Sequence, residues 1–270
     1  MLIKAERRIS RKGMEERDMR KKTVAANWKM NMTRSEAKSL LGELVPMLKD
    51  TDTDIIICAP YLTIQTVLDC VEGTDIHVGA ENMYFEDKGA YTGEISPVML
   101  KEAGVTHVIL GHSERRKYFG ETNEIVNKKI IKALEYGLVP MACCGESLEI
   151  RGDGLAKQYI HRQIMEMLQG VQKEDVSSCI FSYEPIWAIG TGIGATKEQA
   201  EEGCMEIRRS IESIYGSDVA ENVTVLYGGS VNASNADTIF PIKDIDGGLL
   251  GTASLNTDFA KVVKIREKYD

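Results

Sequence analysis

The chain has 270 residues, of which 43% are hydrophobic and 27% charged, and its formal net charge is −8. This length and composition suit a soluble chain with a sizeable core, folded as one large α/β domain or two smaller ones. The acidic balance argues against nucleic acid as the main partner, and no apolar run approaches the roughly 20 residues of a membrane span.

The amino-terminal residues differ from the rest of the chain. Residues 1–22 hold nine lysines or arginines against four acidic residues. They lack the apolar segment of a secretory signal, and their acidic residues disfavour a transit peptide. Met14 and Met19 are alternative start sites. We expect residues 1–18 to be a disordered or misannotated extension and the folded domain to span residues 19–270.

The six cysteines lie mostly within apolar runs and form no CxxC pair. They are Cys58, Cys70, Cys143, Cys144, Cys179 and Cys204. This pattern indicates buried free thiols, not a disulfide or zinc framework. Free thiols are typical of a reducing compartment, so we expect a cytoplasmic protein.

From residue 23 onward, short apolar runs alternate with helical patterns in eight strand–helix units. The predicted strands are 23–27, 54–59, 76–80, 107–110, 138–143, 180–183, 223–227 and 247–250. The predicted helices are 35–48, 61–71, 97–103, 123–136, 155–168, 197–215, 233–239 and 258–268. Strands that are apolar nearly throughout suit a parallel sheet covered on both faces, and eight units predict a single-domain closed (β/α)8 barrel.

A doubly wound open sheet is the alternative α/β fold. It would usually have fewer units and a glycine-rich turn after its first strand. The turn after the first predicted strand, residues 27–31, contains no glycine. The barrel is therefore the favoured fold.

Polar groups follow several predicted strands, where a barrel of this kind carries its chemistry. Asn27 and Lys29 follow the first strand, His112 the fourth, and Glu184 the sixth. Turns rich in glycine or serine follow the fifth, seventh and eighth strands. These ends supply a base, an electrophile, a fixed cation and a cradle for an anion.

The segment after the sixth strand has the composition of a moving loop. Pro185 fixes the backbone beyond Glu184, and Trp187 and Ile189 can exclude water. The glycines at 190, 192 and 194 supply hinge freedom and exposed N–H groups. An ordinary surface turn would be more polar, so we expect a functional loop.

Five motifs occur in order along the chain. They are residues 26–31 (ANWKMN), 89–94 (GAYTGE), 111–116 (GHSERR), 183–192 (YEPIWAIGTG) and 227–231 (YGGSV). Together they resemble the triosephosphate isomerase family, and the resemblance runs from about residue 19 to the carboxyl terminus. It implies interconversion of dihydroxyacetone phosphate and D-glyceraldehyde 3-phosphate through an enediol(ate).

The resemblance also implies a role for each candidate residue. Glu184 would be the base that removes a proton from the carbon beside the carbonyl. His112 would polarise that carbonyl as a neutral imidazole. Lys29 would stabilise developing negative charge, with Asn27 orienting it and Glu114 pairing with it.

The same resemblance implies a phosphate cradle of backbone N–H groups from Gly190, Ser230, Gly251 and Thr252, as is recurrent in such barrels. The turn at 228–232 is not the GxSxG of a nucleophile elbow, and residues 190–194 are not GxGxxG. We therefore expect no nucleotide cofactor and no metal.

Two further expectations follow from the resemblance. Residues 81–94, around Thr92, resemble the loop that inserts into a second subunit near Lys29, which implies a homodimer. The chain also departs from the usual family pattern at Ile193, Gly194 and Thr252. These substitutions are expected to alter loop motion or phosphate affinity without changing the reaction.

Other functions remain open at this point. A lysine at a strand end can form a Schiff base, as in an aldolase, so a lyase acting through Lys29 is one alternative. A related isomerase of a four-carbon ketose phosphate is a second. A non-catalytic binding protein on the same fold is a third, although Lys29, His112 and Glu184 are all present.

Overall fold

The computed structural model of the protein describes residues 20–188 and 194–269. Eight parallel strands form a closed barrel in chain order, with the eighth strand paired to the first. The strands are β1 Thr23–Asn27, β2 Asp54–Ala59, β3 His77–Ala80, β4 His107–Leu110, β5 Val139–Cys144, β6 Ile180–Tyr183, β7 Thr224–Tyr227 and β8 Gly247–Leu250. The predicted (β/α)8 barrel is confirmed. The predicted extension at residues 1–18 lies outside the described residues.

The α-helices of the described chain follow the strands. They are α1 Arg34–Met47, α2 Tyr61–Val71, α3 Pro97–Glu102, α4 Ser113–Phe119, α5 Asn123–Glu135, α6 Leu148–Gly152, α7 Ala156–Met167, α8 Lys173–Val176, α9 Lys197–Tyr215, α10 Ser217–Asn222, α11 Ala236–Ile239 and α12 Asp258–Arg266. None of these helices has the length and apolar composition needed to cross a membrane.

Most predicted limits agree with the structure within one or two residues; strand β5, for example, runs one residue later than predicted, at Val139–Cys144. Two features differ more. Helix α11 starts at Ala236 instead of 233 because side chains hold residues 232–235 as a turn. Asn232 Oδ1 accepts the Ser234 N–H at 2.8 Å, and Asn235 Oδ1 accepts the Asn232 N–H at 2.9 Å. The short helices α4, α6, α8 and α10 were not predicted.

The core has two layers separated by the sheet. Inside the barrel lie alternate residues of the strands, including Ile56 of β2, Ile109 of β4 and Leu226 of β7. Outside the barrel, the opposite faces of the strands pack on the apolar faces of the helices. Burial on both faces explains why the strands read as nearly continuous apolar runs.

Candidate active site

A pocket of about 650 Å³ opens at the carboxyl ends of the strands. It brings together residues that are more than 200 positions apart in the chain. Among the predicted site residues it is lined by Asn27, Lys29, His112, Glu114, Glu184, Ser230, Gly251 and Thr252. The ninth, Gly190, lies outside the described residues, as does Ile193.

Glu184 is the most deeply buried acid in this pocket, with 1% of its surface exposed. Its backbone N–H donates to the carbonyl of Cys144 at 2.7 Å, which fixes it between β5 and β6. Carboxylate Oε2 accepts the backbone N–H of Ser113 at 2.8 Å. Oε1 lies 2.9 Å from His112 Nε2, but the contact is not aligned as a hydrogen bond and leaves Oε1 without a hydrogen-bond partner.

Two glycines make room for Glu184. A Cβ on Gly145 would lie 1.7 Å from the Glu184 carbonyl oxygen. A Cβ on Gly228 would lie 2.5 Å from Ser182 Oγ and 3.0 Å from Glu184 Cγ. Any side chain at these positions would displace the carboxylate, so both turns need glycine for close backbone approach.

His112 is held by the start of helix α4. The ring is 6% exposed, and its Nδ1 accepts the backbone N–H of Glu114 at 3.2 Å. A nitrogen that accepts an N–H carries no proton, so this contact assigns the neutral tautomer with its proton on Nε2. Nε2 is the ring nitrogen that faces Glu184.

The two groups shift each other's ionisation. Burial raises the pKa of Glu184, but His112 and the Ser113 N–H outweigh it and hold that pKa below its ordinary value. Burial lowers the pKa of His112, but the Glu184 charge raises it above the ordinary value. The raised pKa of His112 therefore depends on Glu184 remaining beside it. A substrate carbonyl that lies between Glu184 and the imidazole would weaken this interaction and favour the neutral form of His112.

Lys29 places a cation in the pocket. Its Nζ lies 2.7 Å from Glu114 Oε1, the residue expected to pair with it. The backbone N–H of Lys29 donates to Asn27 Oδ1 at 3.1 Å. The backbone of Lys29 is left-handed, with φ 54°. A lysine in this conformation costs of order 1 kcal/mol and persists only where its surroundings hold it.

The turn after β8 lies beside Lys29. A Cβ on Gly251 would lie 3.4 Å from Lys29 Cε, so this backbone runs close to the lysine side chain. Thr252 begins a 3₁₀ helix, Thr252–Leu255, and is not among the left-handed residues of the described chain. Threonine therefore fits here without the backbone penalty expected from a positive φ.

Sequence reasoning missed a network around Glu146. Its Oε1 accepts from Arg151 Nε at 2.8 Å, Tyr183 Oη at 3.0 Å and Trp187 Nε1 at 2.8 Å. Trp187 is thus anchored through its ring N–H as well as covering apolar surface. The only signal in the sequence was a carboxylate just after β5, with nothing to indicate its partners.

The other three histidines of the chain lie away from the pocket. His77 and His107 begin β3 and β4 at the opposite end of the barrel, with ring centroids 4.9 Å apart. His161 Nδ1 lies 3.1 Å from Ser210 Oγ, between α7 and α9. These contacts accord with structural roles.

The fold and the pocket together define a (β/α)8-barrel enzyme equipped for proton transfer. A sequence model of the family described as triosephosphate isomerase matches residues 22–266. The chain belongs to the triosephosphate isomerase family.

Individual relatives agree with this assignment. The triosephosphate isomerase of Caldanaerobacter subterraneus subsp. tengcongensis is 49% identical over 246 residues, which cover 91% of this chain and 99% of the relative. Those of Thermoanaerobacter pseudethanolicus and Clostridium botulinum strain Loch Maree are 48% and 50% identical over the same length and shares. The similarity therefore covers the whole barrel.

Proposed function

We propose that the protein interconverts dihydroxyacetone phosphate and D-glyceraldehyde 3-phosphate. The family and its relatives support this reaction. The observation that carries the proposal for this pocket is the placement of Glu184 Oε1, which is buried, without a hydrogen-bond partner and 2.9 Å from His112 Nε2. A base and an electrophile side by side can act on adjacent atoms of one small substrate.

Glu184 is the base of the proposed reaction. Its carboxylate takes the proton from the carbon beside the carbonyl, and the electron pair of that C–H bond forms an enediol(ate). The carboxylic acid then returns a proton to the neighbouring carbon, which completes the exchange of aldose and ketose. The low pKa of Glu184 supports this role because the group is ionised and able to accept a proton at neutral pH.

His112 and Lys29 stabilise the charge that develops on oxygen. The proton on His112 Nε2 is donated to the carbonyl oxygen, and the ring can move protons between the two oxygens of the intermediate. The Lys29 ammonium stabilises the negative charge and pairs with Glu114, while Asn27 accepts the backbone N–H of Lys29. Preorganised donors of this kind supply a large share of catalysis in a buried site.

The phosphate would be bound by N–H groups of Ser230, Gly251 and Thr252, which line the pocket beside Lys29. Gly190 was predicted to add a fourth N–H, and this stays a prediction. Closure of residues 185–195 over the bound phosphate also stays a prediction. The described part of that segment is anchored by the bond from Trp187 Nε1 to Glu146.

Activity on two substrates and a trapping experiment test the reaction. The protein should isomerise glyceraldehyde 3-phosphate rapidly and a four-carbon ketose phosphate poorly or not at all. Borohydride should trap no substrate adduct on Lys29. Activity confined to the four-carbon substrate would instead support the related isomerase. A trapped adduct would support the lyase, and no activity on either substrate would support the binding protein.

A homodimer completes the proposal. Met30, next to Lys29, is 97% exposed, and Tyr91, next to Thr92, is 42% exposed. Large apolar side chains this exposed suit a surface that another subunit covers. Light scattering should give twice the mass of one chain, and Thr92→Arg should lower both that mass and the activity. A wild-type monomer with full activity would contradict the dimer.

The expectation of a cytoplasmic enzyme is supported by six free cysteines.

A further inference from the structure

Arg116 ends the motif at residues 111–116, and the proposed reaction gives it no role. Its side chain is half-buried and turns back toward the end of β4. Nε donates to the Gly111 carbonyl at 2.7 Å, and Nη2 donates to the Cys143 carbonyl at 3.1 Å. The guanidinium therefore joins the chain just beyond β4 to the end of β5.

The two carbonyls lie where backbone pairing between β4 and β5 stops. The ladder of these strands ends at the pair of Leu110 and Ala142. Gly111 and Cys143 come next along the chain, and Gly111 turns out of the sheet with a left-handed backbone, φ 70°. A guanidinium suits this place because its rigid fork of N–H groups can bind two acceptors at once.

Both ends of this connection lead to a reacting group. The backbone N–H of Arg116 donates to the His112 carbonyl at 3.1 Å, so its backbone and side chain hold the turn on either side of His112. On β5, Cys144 follows the bridged carbonyl, and its own carbonyl accepts the Glu184 N–H at 2.7 Å. Arg116 thus links the segment that carries the electrophile to the strand that holds the base.

The guanidinium is itself fixed by two helices behind the strands. Nη1 donates to Asn123 Oδ1 at 2.6 Å at the start of α5, and Nη2 lies 3.2 Å from Met167 Sδ at the end of α7. Asn123 Nδ2 in turn donates to Glu166 Oε2 at 2.7 Å. A Cβ on Gly111 would lie 2.9 Å from Nη2, so the turn packs directly on the guanidinium. A side chain locked in this way can fix the geometry of its neighbours.

The partners of Arg116 show what the position requires. Among the described residues its acceptors are two carbonyls, an amide oxygen and a thioether, and all are uncharged. The neighbouring Arg115, by contrast, pairs with the carboxylate of Glu121. A charge among neutral groups is costly to bury unless its N–H groups find acceptors. The position therefore uses the direction of the N–H groups and not an ion pair.

We propose that Arg116 is a positioning residue that sets the separation of His112 and Glu184, and this inference rests on the proposed function. The guanidinium holds the ends of β4 and β5 together, and the pairing of β5 with β6 carries that position to Glu184. Without it the turn at Gly111 moves away from β5, and the Ser113 N–H leaves Glu184 Oε2, from which it lies 2.8 Å. The proposed phosphate cradle belongs to the turns after β7 and β8 and stays in place.

Steady-state kinetics of three variants test the role in the reaction. Arg116→Gln loses the fork and should lower kcat for glyceraldehyde 3-phosphate at least about tenfold, with KM unchanged within about twofold, because misplaced groups slow the chemical step. Arg116→Lys keeps the charge without the fork and should lose kcat in the same way. Arg209→Gln removes an exposed arginine of α9 and should match the wild type. An Arg116→Lys enzyme with wild-type kcat, or a loss confined to KM, would overturn the proposal.

Hydrogen exchange followed by NMR gives a second readout that does not depend on turnover. In Arg116→Gln the Ser113 N–H should exchange at least about tenfold faster than in the wild type, because its bond to Glu184 joins the two segments that separate. The Asp246 N–H, which donates to the Val225 carbonyl at 2.8 Å at the other end of the barrel, should keep its wild-type rate. Arg116→Lys is measured instead if Arg116→Gln does not fold.

Two results of the exchange measurement would overturn the proposal. Equal acceleration of both amides would show a general loss of stability, and an unchanged Ser113 rate would show that Arg116 does not hold the two segments together. Selective acceleration at Ser113 in a protein that does not isomerise glyceraldehyde 3-phosphate would contradict the reaction and leave the positioning role of Arg116 standing.

Discussion

Glu184 and His112 lie 2.9 Å apart between Oε1 and Nε2, although β6 and β4 bring them from 72 positions apart in the chain. Oε2 of the same carboxylate is held by the Ser113 N–H, so one oxygen is fixed and the other is free to react. A carboxylate held at one oxygen keeps its direction while its second oxygen accepts a proton.

Substitution of His112 tests the electrophile. His112→Gln should lower kcat by about 100-fold or more, because the neutral ring donates from Nε2 to the developing oxyanion. His161→Gln removes a half-buried ring distant from the pocket and should leave kcat unchanged. Steady-state kinetics of the two variants provide the comparison. A His112→Gln enzyme with wild-type kcat would show that the ring only supports Glu184.

Substitution of Lys29 tests the cation. Lys29→Met should lower kcat/KM by at least about 100-fold, with KM rising, because in the proposed reaction the ammonium both holds the substrate and stabilises the developing negative charge. Lys117 also lines the pocket, but its Nζ lies over the exposed Tyr118 ring at 4.9 Å. Lys117→Met should change kcat/KM by about threefold at most, since solvent and salt screen an exposed charge. Equal effects of the two substitutions would contradict a specific role for Lys29.

A buried ion pair supports the loop that follows β3. Lys129 Nζ contacts Glu121 Oε1 and also donates to Asn82 Oδ1 at 2.7 Å, and the lysine is 3% exposed. Glu121→Gln should lower the free energy of unfolding by about 3 kcal/mol, because it leaves a buried ammonium without its anion. Urea unfolding measures this change.

The matched control is the exposed pair of Glu124 and Lys128, one turn apart on the same helix. Glu124→Gln should leave the free energy of unfolding unchanged within error, since exposed pairs contribute little. If Glu124→Gln lowers the free energy of unfolding as much as Glu121→Gln does, the claim that the buried ion pair contributes more than the exposed one is contradicted.

His107 predicts how stability depends on pH. Burial, with the charges of His77 and Lys21, lowers the pKa of His107 to about 3 in the folded protein. The unfolded chain takes up this proton below pH about 6.5, whereas the folded chain does not until near pH 3. Stability should therefore fall as pH falls through this window, by up to about 1.4 kcal/mol per pH unit from this group.

The measurement is the free energy of unfolding at pH 7, 6 and 5. His107→Gln lacks the titrating group, so its stability should depend less steeply on pH than that of the wild type. His161→Gln serves as the control and should keep the wild-type slope. Parallel curves for wild type and His107→Gln would contradict the assignment.

The barrel could be predicted from the sequence because its strands are buried on both faces. Continuous apolar runs such as 54–59 and 107–110 mark such strands, and eight repeats of strand and helix leave few other folds. Helices α8, Lys173–Val176, and α6, Leu148–Gly152, were missed because one turn or slightly more shows no periodicity.

The sequence indicates which residues line the pocket better than it indicates the contacts between them. Glu184, His112 and Lys29 follow strands, and five motifs resemble one family. The contacts of Glu146 could not be predicted, because Tyr183 and Trp187 come from another strand and the segment after it. Only closure of the barrel places Trp187 on Glu146.

The most direct test of proton transfer by Glu184 is isomerisation of glyceraldehyde 3-phosphate in deuterated water, followed by NMR. The dihydroxyacetone phosphate formed should carry solvent deuterium on the carbon that receives the proton, because the Glu184 acid exchanges with solvent. Glu184→Asp withdraws the carboxylate by one methylene and should lower the rate by about 100-fold, as expected for a misplacement of about 1 Å. A product without deuterium, or a Glu184→Asp rate equal to that of the wild type, would contradict Glu184 as the base.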